Sequence, residues 1–261
     1  MEMIFDLRDV SFSYGAKQAL NNLSLSIDSG LFYGILGPNG SGKTTLIDLL
    51  IRHIHPQSGQ ISFLGKPLND YGRRHLAREI ALMPQNFYIN FPYTVAEVVM
   101  MGRYPHISRF SMPGPDDIER VNQIMAQTGL LAYQNRSITE LSGGERQRVV
   151  FARALAQDAA VLMLDEATSN LDIQHSIRML NLTRDLVDRE GKTVVAVMQD
   201  INLAAMYCQR LILMKNAQLA VIGNTEDVLT PQNLEAVFHV QARVDQNGDA
   251  IQVIFSRKIT S

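Results

Sequence analysis

The sequence predicts an α/β fold: a mostly parallel sheet flanked by helices, with an antiparallel β region at the amino end and an inserted α-helical subdomain. Three observations predict it. Short apolar runs at 31–36, 61–64, 80–83, 161–164, 194–198 and 211–214 read as buried strands. Amphipathic stretches at 95–101, 116–128, 145–156 and 172–189 lie between them, and strands alternating with helices build parallel sheets. From 86 to 156 the alternation fails: helical signals continue without a convincing strand, and a Pro/Gly-rich connector, SMPGP, spans 111–115.

In chain order, Phe5 and Leu7, then after a break Val10, Phe12 and Tyr14, follow the period of a half-buried strand. Asn21-Asn22 reads as a turn before a second short strand at 23–27. LFYGIL, at 31–36, runs into a glycine-rich loop, and an apolar helical run at 45–53 comes next. Beyond Pro231 the tail carries one helix signal at 232–238 and a hairpin-like Asn247-Gly248 between apolar pairs. These signals divide the chain into a core of 1–85 and 157–230, a helical subdomain of 86–156 and a short tail of 231–261. Internal repeats, low-complexity segments and sustained heptads are missing from the pattern.

Composition narrows the function. Hydrophobic residues make up 46% of the 261 and charged residues 19%, which excludes a disordered chain. Lys and Arg number 24 against 26 Asp and Glu, a net charge of −2, which argues against a nucleic-acid backbone as the main partner. The single cysteine, Cys208, excludes an internal disulfide or a cysteine-based zinc site. The amino end, MEMIFDLRDV, has acidic residues and no signal-length apolar run, and no stretch approaches a membrane-spanning length. The expectation is a soluble, intracellular, globular protein.

The strongest local signal is GPNGSGKT, comprising Gly37, Pro38, Asn39, Gly40, Ser41, Gly42, Lys43 and Thr44. It satisfies G-x-x-x-x-G-K-[ST] between an expected strand and an expected helix, the setting this phosphate cradle requires. Glycines let backbone N–H groups approach a phosphate chain, and the helix start adds partial positive charge. Lys43 supplies a point charge for the β- and γ-phosphates, and the Thr44 hydroxyl is placed to ligate Mg²⁺. The implied ligand is a nucleoside triphosphate. The run at 161–164 ends in Asp165-Glu166. An Asp at the end of a buried strand is where a P-loop fold holds its second Mg²⁺ contact. Glu166 is suited to act as a general base on an attacking water, so the pair points to hydrolysis. LSGGERQ, at 141–147, puts Ser142 and Glu145 in capping-box spacing beside Gly143 and Gly144. It reads equally as an ordinary helix start or as a second anion site serving a nucleotide held by another copy of the chain.

Taken together, these motifs resemble the ATP-binding subunit of an ABC transporter over essentially the whole chain. The resemblance implies a P-loop NTPase core of RecA-like type, with GPNGSGKT as Walker A, VLMLDE as Walker B and LSGGERQ as the signature. Gln85, ending IALMPQ, matches the Q-loop glutamine, a position tied to Mg²⁺ and to the reaction. SNLD, with Asp172, matches the D-loop. Tyr14 falls where an aromatic stacks on adenine, and Thr45 extends the phosphate-binding run. The implied assembly is a head-to-tail homodimer that sandwiches two ATP molecules, each between one copy's P-loop and the other copy's Ser142, Gly143 and Gly144. Its closure on ATP would drive integral-membrane permease subunits, and through them a substrate-binding protein, from the cytoplasmic face of the inner membrane. Phe87, Tyr88, Phe91 and Tyr93 read either as core or as a permease-docking surface.

Two positions depart from the family. Gln199 stands where a histidine usually contacts the γ-phosphate; an amide still donates a hydrogen bond but cannot become cationic. The expected result is weakened hydrolysis. Ala167 replaces a common proline, with little consequence expected. TVAEVVMMGRYPH, at 94–106, is similar to ATPases of iron-siderophore, haem and cobalamin importers. The rival readings are an importer of another metal or metal oxyanion and a soluble DNA- or ribosome-associated ABC ATPase. Arg73, Arg74 and Arg78 read as a solvated helix face, His53 and His55 as structural, Cys208 as buried or inert, and the methionines as core filler.

Overall fold

The computed structural model describes residues 2–87, 89–169, 171–247 and 250–259. The chain falls into two compact units, Met1–Tyr71 with Arg184–Ser261, and Gly72–Thr183. The segment 86–156 lies wholly within the second unit.

The first unit opens with strands β1 (Met3–Tyr14) and β2 (Lys17–Asp28), paired antiparallel. The turn between them is Gly15-Ala16, not the expected Asn21-Asn22. Asn22 does take the positive φ of 49° that asparagine tolerates. It spends that conformation on a bulge within β2, where register shifts between Val10↔Leu23 and Phe12↔Leu20, and its N–H donates to Ser11 Oγ at 2.9 Å. Strand β3 (Phe32–Leu36) is buried throughout and feeds the glycine loop, after which helix α1 covers Lys43–Leu50. The helix stops short of His53 because Arg52 turns to φ 56° and donates to the carbonyls of Leu68, Asn69 and Tyr71. Strands β4 (Ser58–Phe63) and β5 (Lys66–Pro67) complete a sheet of order β2-β1-β4-β5.

The second unit holds helix α2 (Arg73–Glu79), strand β6 (Ile80–Met83), helices α3 (Val95–Met100), α4 (Pro115–Gln127) and α5 (Gly143–Ala156), and strand β7 (Val161–Asp165), parallel to β6. Helix α6 (Ile173–Glu190) comes after β7. Between 86 and 156 the described residues contain helices and one isolated bridge, Thr94 to Ser137. Thr94 and Glu97 form a reciprocal capping box that starts α3. Pro115 opens α4 while Asp117 accepts the Gly114 N–H at 3.1 Å and pairs with Arg103 at 2.9 Å. All three arginines of α2 are exposed, as expected of a solvated face, and two of them also make a backbone contact. Arg74 and Arg78 both donate to the Pro105 carbonyl, at 2.9 and 2.8 Å, and so anchor the loop after α3.

The chain returns to the first unit with β8 (Thr193–Val197), α7 (Ile201–Tyr207), β9 (Arg210–Lys215), β10 (Gln218–Asn224), α8 (Thr225–Val228) and α9 (Pro231–Phe238). The hairpin of β11 (Val240–Asn247) and β12 (Ala250–Ile259) ends it. Strand β3 sits between β8 and β9, parallel to both, and β10 adds antiparallel to β9. Gly34 makes this packing possible, since a Cβ there would lie 2.8 Å from both Cys208 Sγ and Leu211 Cδ2. Cys208 is buried, and burial pushes its thiol pKa up, in line with an inert role. Tyr88, Asn170 of SNLD and the Gly248 turn lie outside the described residues.

Candidate active site

Within the first unit the phosphate loop is shaped by close backbone approach. A Cβ on Gly37 would sit 2.2 Å from the Met214 carbonyl oxygen, and one on Gly42 would sit 2.3 Å from that of Ala19. Gly42, at φ 101°, is the N-cap of α1, which starts without any side-chain cap. Its first-turn donors thus have no competing oxygen from the cap residue. Lys43 folds back over the loop, its Nζ donating to the carbonyls of Gly37 at 2.8 Å and Pro38 at 3.1 Å. Ser41 is 2% exposed, and its Oγ is buried with no hydrogen-bond partner among the described residues. An orphan hydroxyl costs free energy unless an acceptor reaches it; a phosphate oxygen would be such an acceptor. Asn39, Gly40 and Thr44 are exposed, and Thr45 is buried. Tyr14, at the end of β1, is half exposed, with Phe12 packed edge-on against its ring at 4.9 Å. Gln199 is exposed between β8 and α7. Asp200 beside it caps α7 by accepting the N–H groups of Asn202 and Leu203.

Within the second unit, Asp165 ends β7 and is buried, while Glu166 takes a positive φ of 50° that turns the chain away from the strand. Gln85 Nε2 donates to Glu166 Oε2 at 2.7 Å, so the Q-loop amide and the general-base candidate are in direct contact. Three bonds brace the turn beyond Glu166: Ser169 N–H and Oγ both donate to the Glu166 carbonyl, and Gln147 Nε2 donates to that of Ala167. Gln147 lies in the motif LSGGERQ, but spacing alone did not single out this contact. Ser142 caps α5 as expected: its Oγ accepts the Glu145 N–H at 3.3 Å, and Glu145 Oε2 accepts the Ser142 N–H at 2.8 Å. Hydrogen bonds from the Ser142 hydroxyl and N–H hold the Glu145 carboxyl below its ordinary pKa. Gly143 is open at the helix start, where a Cβ would meet nothing within 4 Å, while a Cβ on Gly144 would touch Leu171 Cδ2 at 3.6 Å. Gln85, Phe87, Gly143 and Gln147 line one cleft of about 420 Å³. Asp172 accepts the His175 N–H at 2.8 Å and pairs with its ring Nδ1, and this backbone bond first, then the ring, lowers its pKa.

Of the aromatic group, Phe87 is half-buried with the Arg153 guanidinium 4.1 Å from its ring centroid, and Phe91 is exposed against the half-buried Tyr93. A further groove of about 640 Å³ is lined by Ala96, Met100, Tyr104, Ile107 and Met112.

A buried strand, a glycine turn and a helix carrying GPNGSGKT define a P-loop nucleotide-binding protein. The chain belongs to the ABC transporter family, whose pattern residues 20–169 match. It is 40% identical over 93% of its length to the cobalamin import ATP-binding protein BtuD of Halobacterium salinarum, spanning 60% of that protein. It is 38% identical over 93% of its length to the hemin import ATP-binding protein HmuV of Bordetella avium, spanning 94% of it. A solved transporter assigned to the metal-chelate type, in an inward-facing conformation, superposes with a TM-score of 0.82 at 31% identity, covering 98% of this chain and 97% of that one.

Proposed function

We propose that this chain is the ATP-hydrolysing subunit of a membrane importer of the metal-chelate class, working as a head-to-tail homodimer on permease subunits. The observation that carries the hydrolytic reading is the Gln85–Glu166 hydrogen bond of 2.7 Å, which orients a general base that mere nucleotide storage does not need. The importer reading is supported by two relatives named for cobalamin and hemin import and by the likeness to a metal-chelate type transporter.

The roles follow from the residue chemistry. Backbone N–H groups of Gly40, Ser41 and Gly42 and the Lys43 ammonium hold the β- and γ-phosphates, and the Ser41 hydroxyl gains the partner it lacks. Tyr14 stacks on the base. Thr44, Asp165 and the Gln85 side-chain oxygen, all hard oxygen donors, are the residues that would hold Mg²⁺. When bound, the ion neutralises charge on the phosphates. Glu166 takes the proton of the attacking water while Gln85 fixes its carboxylate. Gln199 donates to the γ-phosphate, Asp172 sits at the dimer face, and Ser142, Gly143 and Gly144 close over the partner copy's nucleotide. The exposed Phe91, Tyr104 and Met112 suit the permease contact, at the cytoplasmic face of the inner membrane, and the substrate-binding protein acts through the permease. No helix among the described residues is long and apolar enough to cross a membrane.

The test is ATP turnover of the purified chain and of Glu166→Gln. Removal of the base is expected to lower kcat at least about a hundredfold with ATP affinity retained, and EDTA is expected to abolish turnover. A wild-type rate for Glu166→Gln would reject this base. Tagged chain recovered from solubilised membranes should carry a polytopic permease in equal amount; recovery without one would favour the soluble ATPase.

A further inference from the structure

Gln199 lies on a three-residue bridge between two fixed points of the first unit. On one side the Met198 N–H donates to the Ile35 carbonyl at 3.1 Å, locking the end of β8 to β3, the strand that enters the phosphate loop. On the other, Asn202 in the first turn of α7 grips strand β12. Its Nδ2 donates to the Val253 carbonyl at 3.1 Å, and its Oδ1 accepts the Val253 N–H at 2.7 Å. One amide thus offers a donor and an acceptor to the backbone pair of a single residue, as a neighbouring strand would. Asp200 joins the bridge to the same turn, its Oδ1 accepting the N–H groups of Asn202 at 2.8 Å and Leu203 at 3.0 Å.

Val253 is 3% exposed with the Asn202 amide in place, and cutting that amide away leaves the Val253 N–H and carbonyl without the partner that holds them. A two-stranded ribbon has little stability of its own, and β11–β12 carries none of the nucleotide motifs. Its place against the helix just after Gln199 gives it a use. We propose that the carboxyl-terminal hairpin is a positioning clamp for Gln199, acting through Asn202 on the first turn of α7. The inference rests on the γ-phosphate role of Gln199 proposed above. Loss of the clamp lets the bridge drift while leaving the phosphate loop, and hence ATP affinity, in place.

The experiment is a double-mutant cycle in the full-length chain, with kcat and KM for ATP read separately. Asn202→Ala alone is expected to lower kcat about tenfold with KM little changed, the scale of a small misplacement of a reacting group. In a Gln199→Ala background the same substitution should cost nothing further in kcat, although it lowers Tm equally in both. An equal loss of kcat in both backgrounds, or no loss in either, would overturn the clamp. Should Asn202→Ala fail to fold, Val253→Pro deletes the donor on the other side of the pair and is judged by the same cycle. If Gln199→Ala alone leaves turnover unchanged, the role of Gln199 fails first, and the clamp with it; a loss with Gln199→Ala but additive behaviour with Asn202→Ala rejects the clamp alone.

Discussion

Gly42 shows how much of the phosphate loop depends on the absence of one carbon atom. Its φ of 101° is a strained conformation for any L side chain, and a Cβ would press to 2.3 Å on the Ala19 carbonyl oxygen, a backbone atom that cannot swing aside. Gly42→Ala is therefore expected to cost more than about 2 kcal/mol, visible as a Tm fall of at least about 4 °C, and to abolish ATP binding. Gly40, at φ 80° with nothing within 4 Å, meets only the conformational half of that penalty and should lose less. Gln199 argues in the opposite direction. Its amide donates one hydrogen bond without charge, so Gln199→His should raise kcat by adding a group that becomes cationic toward the γ-phosphate. A turnover that does not change on this substitution, measured at constant ATP saturation, would show that the amide already does everything the position demands.

Among the elements, the two capping boxes give a pH-dependent prediction. Glu97 and Glu145 are both held below their ordinary value of 4.5 by hydrogen bonds from their own N-cap residues, Thr94 and Ser142. The folded carboxylates give up protons that the unfolded chain still binds near that pH, so stability rises with pH there. The stabilisation is complete above about pH 4.5 and is lost as the pH falls through the lowered folded values. Thr94→Ala should cost about 1 kcal/mol at neutral pH and flatten the acid limb of a Tm-against-pH curve; an unchanged acid limb would show the box to be idle. The Ser142/Glu145 box was legible as a local pattern three residues apart; the Thr94/Glu97 box has the same spacing and emerged only with the structure. The buried strands were legible as well: β3, β6, β7, β8 and β9 are apolar runs that no amphipathic helix would contain. Strand β10 escaped notice because QLAVIGN mixes exposed and half-buried positions. The bulge at Asn22 passed for a turn because the same left-handed tolerance serves both. Gln147 and Asn202 escaped because their partners, Ala167 and Val253, lie 20 and 51 residues away, and no local spacing announces such a pairing.

At the scale of the molecule, the chain carries two glycine-flanked helix starts suited to phosphate, at Lys43 in one unit and at Gly143 in the other. One nucleotide needs one such cradle, and the head-to-tail homodimer proposed above gives the second a use on the partner copy's nucleotide. Single mutants cannot reveal such sharing, but a pair of complementary ones can. A chain with Lys43→Ala keeps its signature turn but not its phosphate loop; a chain with Ser142→Arg keeps the loop but blocks the turn. A homodimer of either chain has two defective sites and should be inactive. A mixed dimer pairs the intact loop of one chain with the intact turn of the other, restoring one site of two. Random mixing makes about half of the dimers mixed, so an equimolar mixture should regain about a quarter of wild-type turnover if the sites fire independently. Recovery well below that level, with mixed dimers present, would mean that both sites must act together. An active homodimer of Ser142→Arg would show instead that each nucleotide is hydrolysed without the partner's turn, and the head-to-tail arrangement would have to be abandoned.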